Sequence, residues 1–241
     1  MSKIDLNYIS HSYNPNDPNP IYALNPFSMT WENGKRYAIL GPSGCGKTTM
    51  LNIVSGLVIP SAGNILFDNK DVTDLKTESR NIAQVFQFPV IYNTMTVYEN
   101  LAFPLKCRDF LKDKIDERVK SVADTLNLQS FLNSPARKLT ADQKQLISLG
   151  RGLVREDVAA VLMDEPLTVI DPDLKFRLRR KLKEINEEFK TTLVYVTHDQ
   201  NEAMTFADNI IVMSEGEVVQ AGTPKELFER PNTTFVGYFI G

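Results

Sequence analysis

Between residues 36 and 49 the chain reads RYAILGPSGCGKTT, an apolar run followed by a loop with glycines at 41, 44 and 46. The loop leads into MLNIVSGL, whose apolar spacing suits a helix. Strand, glycine-rich loop and helix in that order place the segment in an α/β fold, with the loop at the carboxyl end of a sheet strand. Gly41, Gly46, Lys47 and Thr48 satisfy G-x-x-x-x-G-K-[ST] in full. Glycines let the main chain wrap a phosphate so that several N–H groups point inward, and the following helix adds its positive end. Lys47 is positioned to neutralise β- and γ-phosphate charge, and the Thr48 hydroxyl to bind Mg²⁺. Gly41, Ser43, Gly44, Cys45, Gly46, Lys47, Thr48 and Thr49 are therefore the candidate nucleotide-binding residues.

A phosphate site of this kind needs a carboxylate at the end of a neighbouring buried strand. VAAVLM (158–163) is apolar without alternation, as expected of a parallel strand covered on both faces, and Asp164 follows it directly. Asp164 is a candidate Mg²⁺ ligand through water. Glu165 is placed to orient or deprotonate an attacking water, with a loop or helix-cap contact as the bland alternative. TTLVYVTH (191–198) is a second buried strand that ends in His198, one of two histidines in the chain. His11 has no comparable setting.

Residues 98–155 turn helical, with Ile115, Val119, Val122 and Leu126 on one face. Leu174, Leu178, Leu182, Ile185 and Phe189 line another amphipathic helix, and the basic run KFRLRRKLK occupies its solvated side. NILFDNKDV (64–72) and NIIVMSEGEVVQAGTP (209–224) read as strands around turns. The expected organisation is a core over 1–92 and 156–241 with a small antiparallel β subdomain, interrupted by a helical subdomain at 93–155.

The 27 basic and 30 acidic residues leave a net charge of −3, which gives no support to nucleic-acid binding by a basic field. Two distant cysteines, Cys45 and Cys107, have no metal-ligand spacing and read as reduced thiols. No apolar run reaches the roughly 18 residues of a membrane-spanning helix. MSKIDLNYIS lacks the charged-then-apolar layout of a signal peptide.

Five elements in order, GPSGCGKTT, Gln87 in VFQFP, LTADQKQ, VLMDEP and the histidine of YVTHDQ, give the chain a resemblance to the ATP-binding subunits of ABC transporters. It extends over essentially the whole sequence. It implies a P-loop NTPase core with inserted helical and antiparallel β subdomains, ATP and Mg²⁺ as ligands, and ATP hydrolysis that drives solute import. It also implies that Gln87 links Mg²⁺ to the membrane-subunit contact, that Glu165 is the hydrolytic carboxylate and that His198 touches the γ-phosphate. Asp171 resembles the loop that crosses the dimer interface. Tyr13 is similar in placement to an aromatic that stacks on adenine, with Tyr8 and Tyr22 as weaker candidates. Implied partners are a second ATPase subunit, two transmembrane permease subunits and an extracytoplasmic solute-binding protein, at the cytoplasmic face of the inner membrane.

VIYNTMTVYENLAFPLK and GTPKELFERPNTTFVGYFIG are similar to carbohydrate-uptake importers, including those for polyols and glycerol phosphates. AQVFQFPVIY and LTADQKQ bring the likeness nearest to glycerol importers that use two different ATPase subunits. Those relatives continue into a C-terminal regulatory β domain, so the resemblance implies one beyond Gly241. A nucleotide-binding regulatory subunit with little hydrolysis and a non-transport ABC ATPase are the alternative readings.

The family signature at 139–143 is LSGGQ, where this chain has LTADQ. Thr140 keeps the hydroxyl and Gln143 the amide, while Ala141 and Asp142 replace two glycines. A side chain at Ala141 limits close approach to phosphate. Asp142 sets a negative charge where the partner subunit's γ-phosphate should sit; at about 5 Å and an effective dielectric of about 20, one like-charge pair costs roughly 3 kcal/mol before screening. T-x-x-Q is also a good capping box, and Asp142 suits the helix dipole. The expectation is an asymmetric pair of sites, with the one built on LTADQ turning over poorly.

Overall fold

The computed structural model describes residues 2–168 and 170–241. Its N-terminal part contains β1 (Ile4–Ser12) and β2 (Tyr22–Trp31), which pair antiparallel; β4 (Ala62–Phe67) and the two-residue β5 (Lys70–Asp71) complete a sheet of order β2-β1-β4-β5. Ile4 and Leu6 alternate inward as a half-covered strand requires. The register then shifts between Leu6 and Ile9, and Tyr8 takes a left-handed φ of 50°. That irregularity turns the Tyr8 ring out to solvent and returns Ile9 to the core.

The second sheet has the order β10-β9-β3-β8-β7-β6. Its parallel centre is β3 (Arg36–Leu40), β8 (Thr192–Thr197), β7 (Ala160–Asp164) and the short β6 (Ala83–Val85), with β9 (Asn209–Ser214) parallel to β3 on the other side. Only β10 (Glu217–Gly222) runs antiparallel, joined to β9 across the Glu215–Gly216 turn. Every residue of β7 and β8 is buried, which is why both read as unbroken apolar runs.

Helix α1 (Lys47–Ser55) lies between the two sheets. Met50, Leu51, Ile53 and Val54 pack with Ile4, Leu6 and Trp31 of the antiparallel sheet and with Ile39 and Val194 of the parallel one. Each such side chain contributes about 1.5–3 kcal/mol relative to exposure. The carboxyl end of α1 is held by the buried Arg80, which donates to the Ile53 and Val54 carbonyls at 2.7 and 3.0 Å and to those of Leu75 and Thr73 at 2.9 and 2.6 Å.

Between β6 and β7 the chain leaves the sheet to form α2 (Val97–Lys106), α3 (Lys112–Thr125) and α4 (Ala141–Leu153). A Thr96–Glu99 capping box starts α2. Ile115, Val119, Val122 and Leu126 are buried together with Leu101, Ile147 and Leu149 in one core that continues to Val161 and Met163 of β7. Helix α5 (Pro172–Phe189) adds Leu178 and Leu182 to that core. On the opposite side α6 (Gln200–Phe206), α7 (Pro224–Glu229) and α8 (Thr234–Ile240) cover Ala38, Leu40, Ile210 and Val212. No helix among the described residues is long and apolar enough to cross a membrane.

Candidate nucleotide site

The loop between β3 and α1 opens onto a cleft of about 630 Å³. Gly46, the N-cap of α1, has φ 101° and no side chain to cap the helix, and no acidic residue occupies the first turn. The first N–H groups of α1 and the positive end of its dipole are thus left for a ligand. A Cβ at Gly46 would stand 2.4 Å from the Ala23 carbonyl oxygen, so the fold accepts only glycine there.

Lys47 is buried, and its ammonium donates to the Gly41 and Pro42 carbonyls, both at 2.8 Å. Among the described residues no carboxylate forms an ion pair with it. A cation held by neutral carbonyls in a recess fits a polyphosphate. Thr48 lies beside Asp164, whose carboxyl is raised above the ordinary aspartate value by burial and by the Glu165 charge, against the pull of Thr48 and Lys47. Thr48, Asp164 and the Gln87 amide are hard oxygen donors that suit Mg²⁺ shared with phosphate oxygens.

Four strand ends bring the remaining groups together. Glu165, just past β7, has φ 44°, an uncommon conformation for a residue with a side chain. Its Oε2 lies 3.2 Å from His198 Nδ1, just past β8, and accepts from the Thr168 hydroxyl at 3.2 Å. Gln87, past β6, lines the same cleft with Ser43, Gly44, Thr48 and Thr49. Tyr13 closes one side: its ring meets His11 edge to face at 4.6 Å, and its hydroxyl is 3.2 Å from Thr49 Oγ1. Tyr8 and Tyr22 do not line the cleft.

Other candidate residues lie elsewhere. Cys45 is buried and does not line the cleft, although its Sγ lies 3.9 Å from the Lys47 ammonium; burial raises its thiol pKa. Asp171 caps α5 by accepting from the Asp173 and Leu174 amides at 3.0 and 3.4 Å. Thr140, Ala141, Asp142 and Gln143 begin α4 outside the cleft: Thr140 Oγ1 accepts from the Gln143 amide at 3.3 Å, and Gln143 Oε1 from the Thr140 amide at 3.0 Å. The capping box expected at LTADQ is therefore formed. Thr168 and Ala23 line the cleft without having been singled out in the sequence; the one signal for Thr168 was a hydroxyl three residues after Glu165.

The family model described as ABC transporter matches residues 24–168, which carry the glycine-rich loop, Gln87, LTADQ, Asp164 and Glu165. The chain belongs to the ABC transporter family. ATP-binding subunits of this family are ATPases. One relative is the sn-glycerol-3-phosphate import ATP-binding protein of Agrobacterium fabrum, 42% identical over all of this chain and 67% of its own length. Another is the trehalose/maltose import ATP-binding protein of Thermococcus litoralis, 44% identical over 92% of this chain and 61% of its own. The chain thus spans about two thirds of the length of these curated relatives. Among solved structures, an ATP-binding cassette dimer described as a post-hydrolysis state bound to ADP and Pi aligns with a TM-score of 0.81 at 29% identity, covering 91% of this chain and 98% of that one. An ABC transporter component from Clostridium perfringens aligns with a TM-score of 0.83 at 28% identity, covering 94% of this chain and 90% of its own.

Proposed function

We propose that this chain is the ATP-hydrolysing subunit of an importer for a carbohydrate or polyol, glycerol or a glycerol phosphate foremost. The observation that carries the catalytic part is one cleft holding Lys47, with no carboxylate ion-paired to it among the described residues, and Glu165 paired with His198. The loop amides and Lys47 bind the β- and γ-phosphates, and the Tyr13 ring offers its face to the base. Thr48, Asp164 and Gln87 would hold Mg²⁺, which supplies charge neutralisation on the phosphates when bound. Glu165 accepts the proton of a water as its oxygen attacks the γ-phosphorus and the bond to the β-phosphate oxygen breaks. His198, 3.2 Å from that carboxylate, orients it and donates toward the γ-phosphate.

The solute class rests on the importer relatives and on the segments that follow Gln87. The partners proposed with it are a second ATPase subunit, two permeases and an extracytoplasmic binding protein, with this chain peripheral at the cytoplasmic face of the inner membrane. The capped α4 supports a heterodimer. Thr140 and Gln143 already satisfy the helix end, and Asp142 adds negative charge where a partner's phosphate would dock. A partner with an intact signature completes the site built on this chain's Lys47, while the reciprocal site built on LTADQ turns over slowly.

Glu165→Gln tests the hydrolytic reading. It should abolish steady-state turnover with an ATP-binding partner while leaving nucleotide affinity within about threefold. Undiminished turnover removes Glu165 from catalysis. Absent turnover in the unmodified pair supports a nucleotide-binding regulatory subunit instead.

A further inference from the structure

Gln145 is fully buried on α4, two residues beyond LTADQ, and does not line the nucleotide cleft. Its amide nitrogen donates to the Pro166 carbonyl at 2.8 Å and to the Phe86 carbonyl at 3.3 Å. Main-chain carbonyls only accept, so these two bonds fix which end of the amide is nitrogen. Phe86 immediately precedes Gln87, and Pro166 immediately follows Glu165. One side-chain amide therefore spans the two segments that present the candidate Mg²⁺-linked glutamine and the hydrolytic carboxylate.

Helix α4 grips the Gln87 segment at two further points. Ser148 Oγ accepts from the Val90 amide at 3.3 Å, and Arg151 donates to the Val90 carbonyl at 2.6 Å while its guanidinium covers the Tyr92 ring at 4.5 Å. Gln145, Ser148 and Arg151 are spaced three apart and form one ridge on the helix. Gln145 alone in that ridge also reaches the Glu165 loop. Glu165 sits at a left-handed φ, and such a residue persists only where its surroundings hold it; the bond to the Pro166 carbonyl is one such restraint. The Gln145 carbonyl oxygen is buried with no hydrogen-bond partner among the described residues. An apolar side chain would avoid that cost.

We propose that Gln145 is a positioning residue for ATP hydrolysis, setting the separation between the Gln87 segment and the Glu165 loop and tying both to the helix that LTADQ begins. The proposal rests on the hydrolytic reading of the cleft. Displacement of the rigid α4 by a nucleotide at its N-terminus then moves both carbonyls together, and contact made at the Gln87 segment reaches Glu165 through one amide.

The test is Gln145→Met, which keeps length and bulk but has no donor, compared with Ser148→Ala, which loosens only the Val90 contact. Three quantities are read: ATP affinity by direct titration, turnover with the partner subunit, and amide hydrogen exchange in the nucleotide-free protein. Gln145→Met should leave the ATP dissociation constant within about threefold while kcat falls at least about tenfold, a split that general loss of fold does not produce. Exchange should speed up across both 86–92 and 165–168, whereas Ser148→Ala should affect only the first segment. Turnover within about twofold of the parent, or affinity falling in step with kcat, overturns the proposal. If the parent pair hydrolyses no ATP, the hydrolytic reading fails, and unchanged exchange at 165–168 in Gln145→Met overturns the positioning role independently.

Discussion

Gly44 and Gly46 differ by two positions in the same loop, yet they should respond very differently to a single added methyl group. Both have positive φ, 80° and 101°, so alanine at either costs about 1–2 kcal/mol in backbone conformation. At Gly44 nothing among the described residues lies within 4 Å of the new Cβ, and that conformational cost is the whole expected effect. At Gly46 the Cβ would sit 2.4 Å from the Ala23 carbonyl oxygen and 2.8 Å from Leu24 Cδ2, so main chain must move. Overpacking of this kind adds about 1–3 kcal/mol, for a total of about 2–5 kcal/mol. At about 2–4 °C per kcal/mol for a chain of this size, Gly44→Ala should lower the unfolding midpoint by about 2–8 °C and Gly46→Ala by about 4–20 °C. The assay is thermal unfolding with and without Mg²⁺-ATP. Ligand at about 100 times its dissociation constant stabilises by about 2.7 kcal/mol, so the unmodified chain should gain about 5–11 °C. Gly46→Ala should lose most of that gain because the N-terminus of α1 shifts with the loop, while Gly44→Ala keeps part of it. Equal destabilisation by the two substitutions, or a full ATP-dependent gain in Gly46→Ala, would refute the reasoning.

Asp142→Gly removes the charge from the first turn of α4 and should raise turnover of the composite site built on LTADQ, measured as ATPase activity with a partner whose own hydrolytic carboxylate is intact; the same change should lower stability by about 0.3–1 kcal/mol through the lost dipole interaction. Arg80→Met strands four main-chain carbonyls, two of them at the end of α1, and should cost about 3–5 kcal/mol in chemical denaturation. Burial alone would raise the Asp208 carboxyl, but hydrogen bonds from Arg36 and its charge hold it below the ordinary value of 3.8. Its stabilising contribution is therefore present above that value and lost as pH falls through the lowered one. Asp208→Asn should accordingly be less stable than the parent at neutral pH and converge with it in acid, as followed by denaturation midpoints across pH.

The parts of this structure legible in the sequence are those where a local pattern and a global requirement coincide. RYAIL, VAAVLM and TTLVYVT read as buried runs because the strands they form are covered on both faces, and a candidate site residue follows each of them. The T-x-x-Q pattern at Thr140 announced its cap for the same reason: the hydrogen bonds are local. Strand β1 was harder to read, because the irregularity at Tyr8 breaks its alternation after only two inward residues. The three residues of β6 are too few for any period to show. Gln145 was invisible as a contributor because a glutamine near a helix start reads as solvated; its burial comes from two loops distant in sequence. Thr168 and Ala23 entered the cleft through tertiary placement that no spacing rule encodes.

Strands β6 and β7 are hydrogen-bonded neighbours at one edge of the parallel sheet, and the whole excursion through α2, α3 and α4 departs from one and returns to the other. The two strands are parallel, so the excursion leaves at the carboxyl end of β6, beside the cleft, and returns at the amino end of β7, one strand length away along the sheet. Lys47, His198 and Glu165 follow β3, β8 and β7, which are consecutive neighbours in the sheet, so the inserted helices reach the spacing of these groups through the Gln145 contacts of α4 alone among the side-chain bonds described above. Such an attachment behaves as a handle on a closed box. On the proposed function, its outer face can be reshaped to fit a different membrane partner while the lock stays unchanged, and Gln87 at its root and Gln145 on α4 are where a pull on the handle would reach the lock.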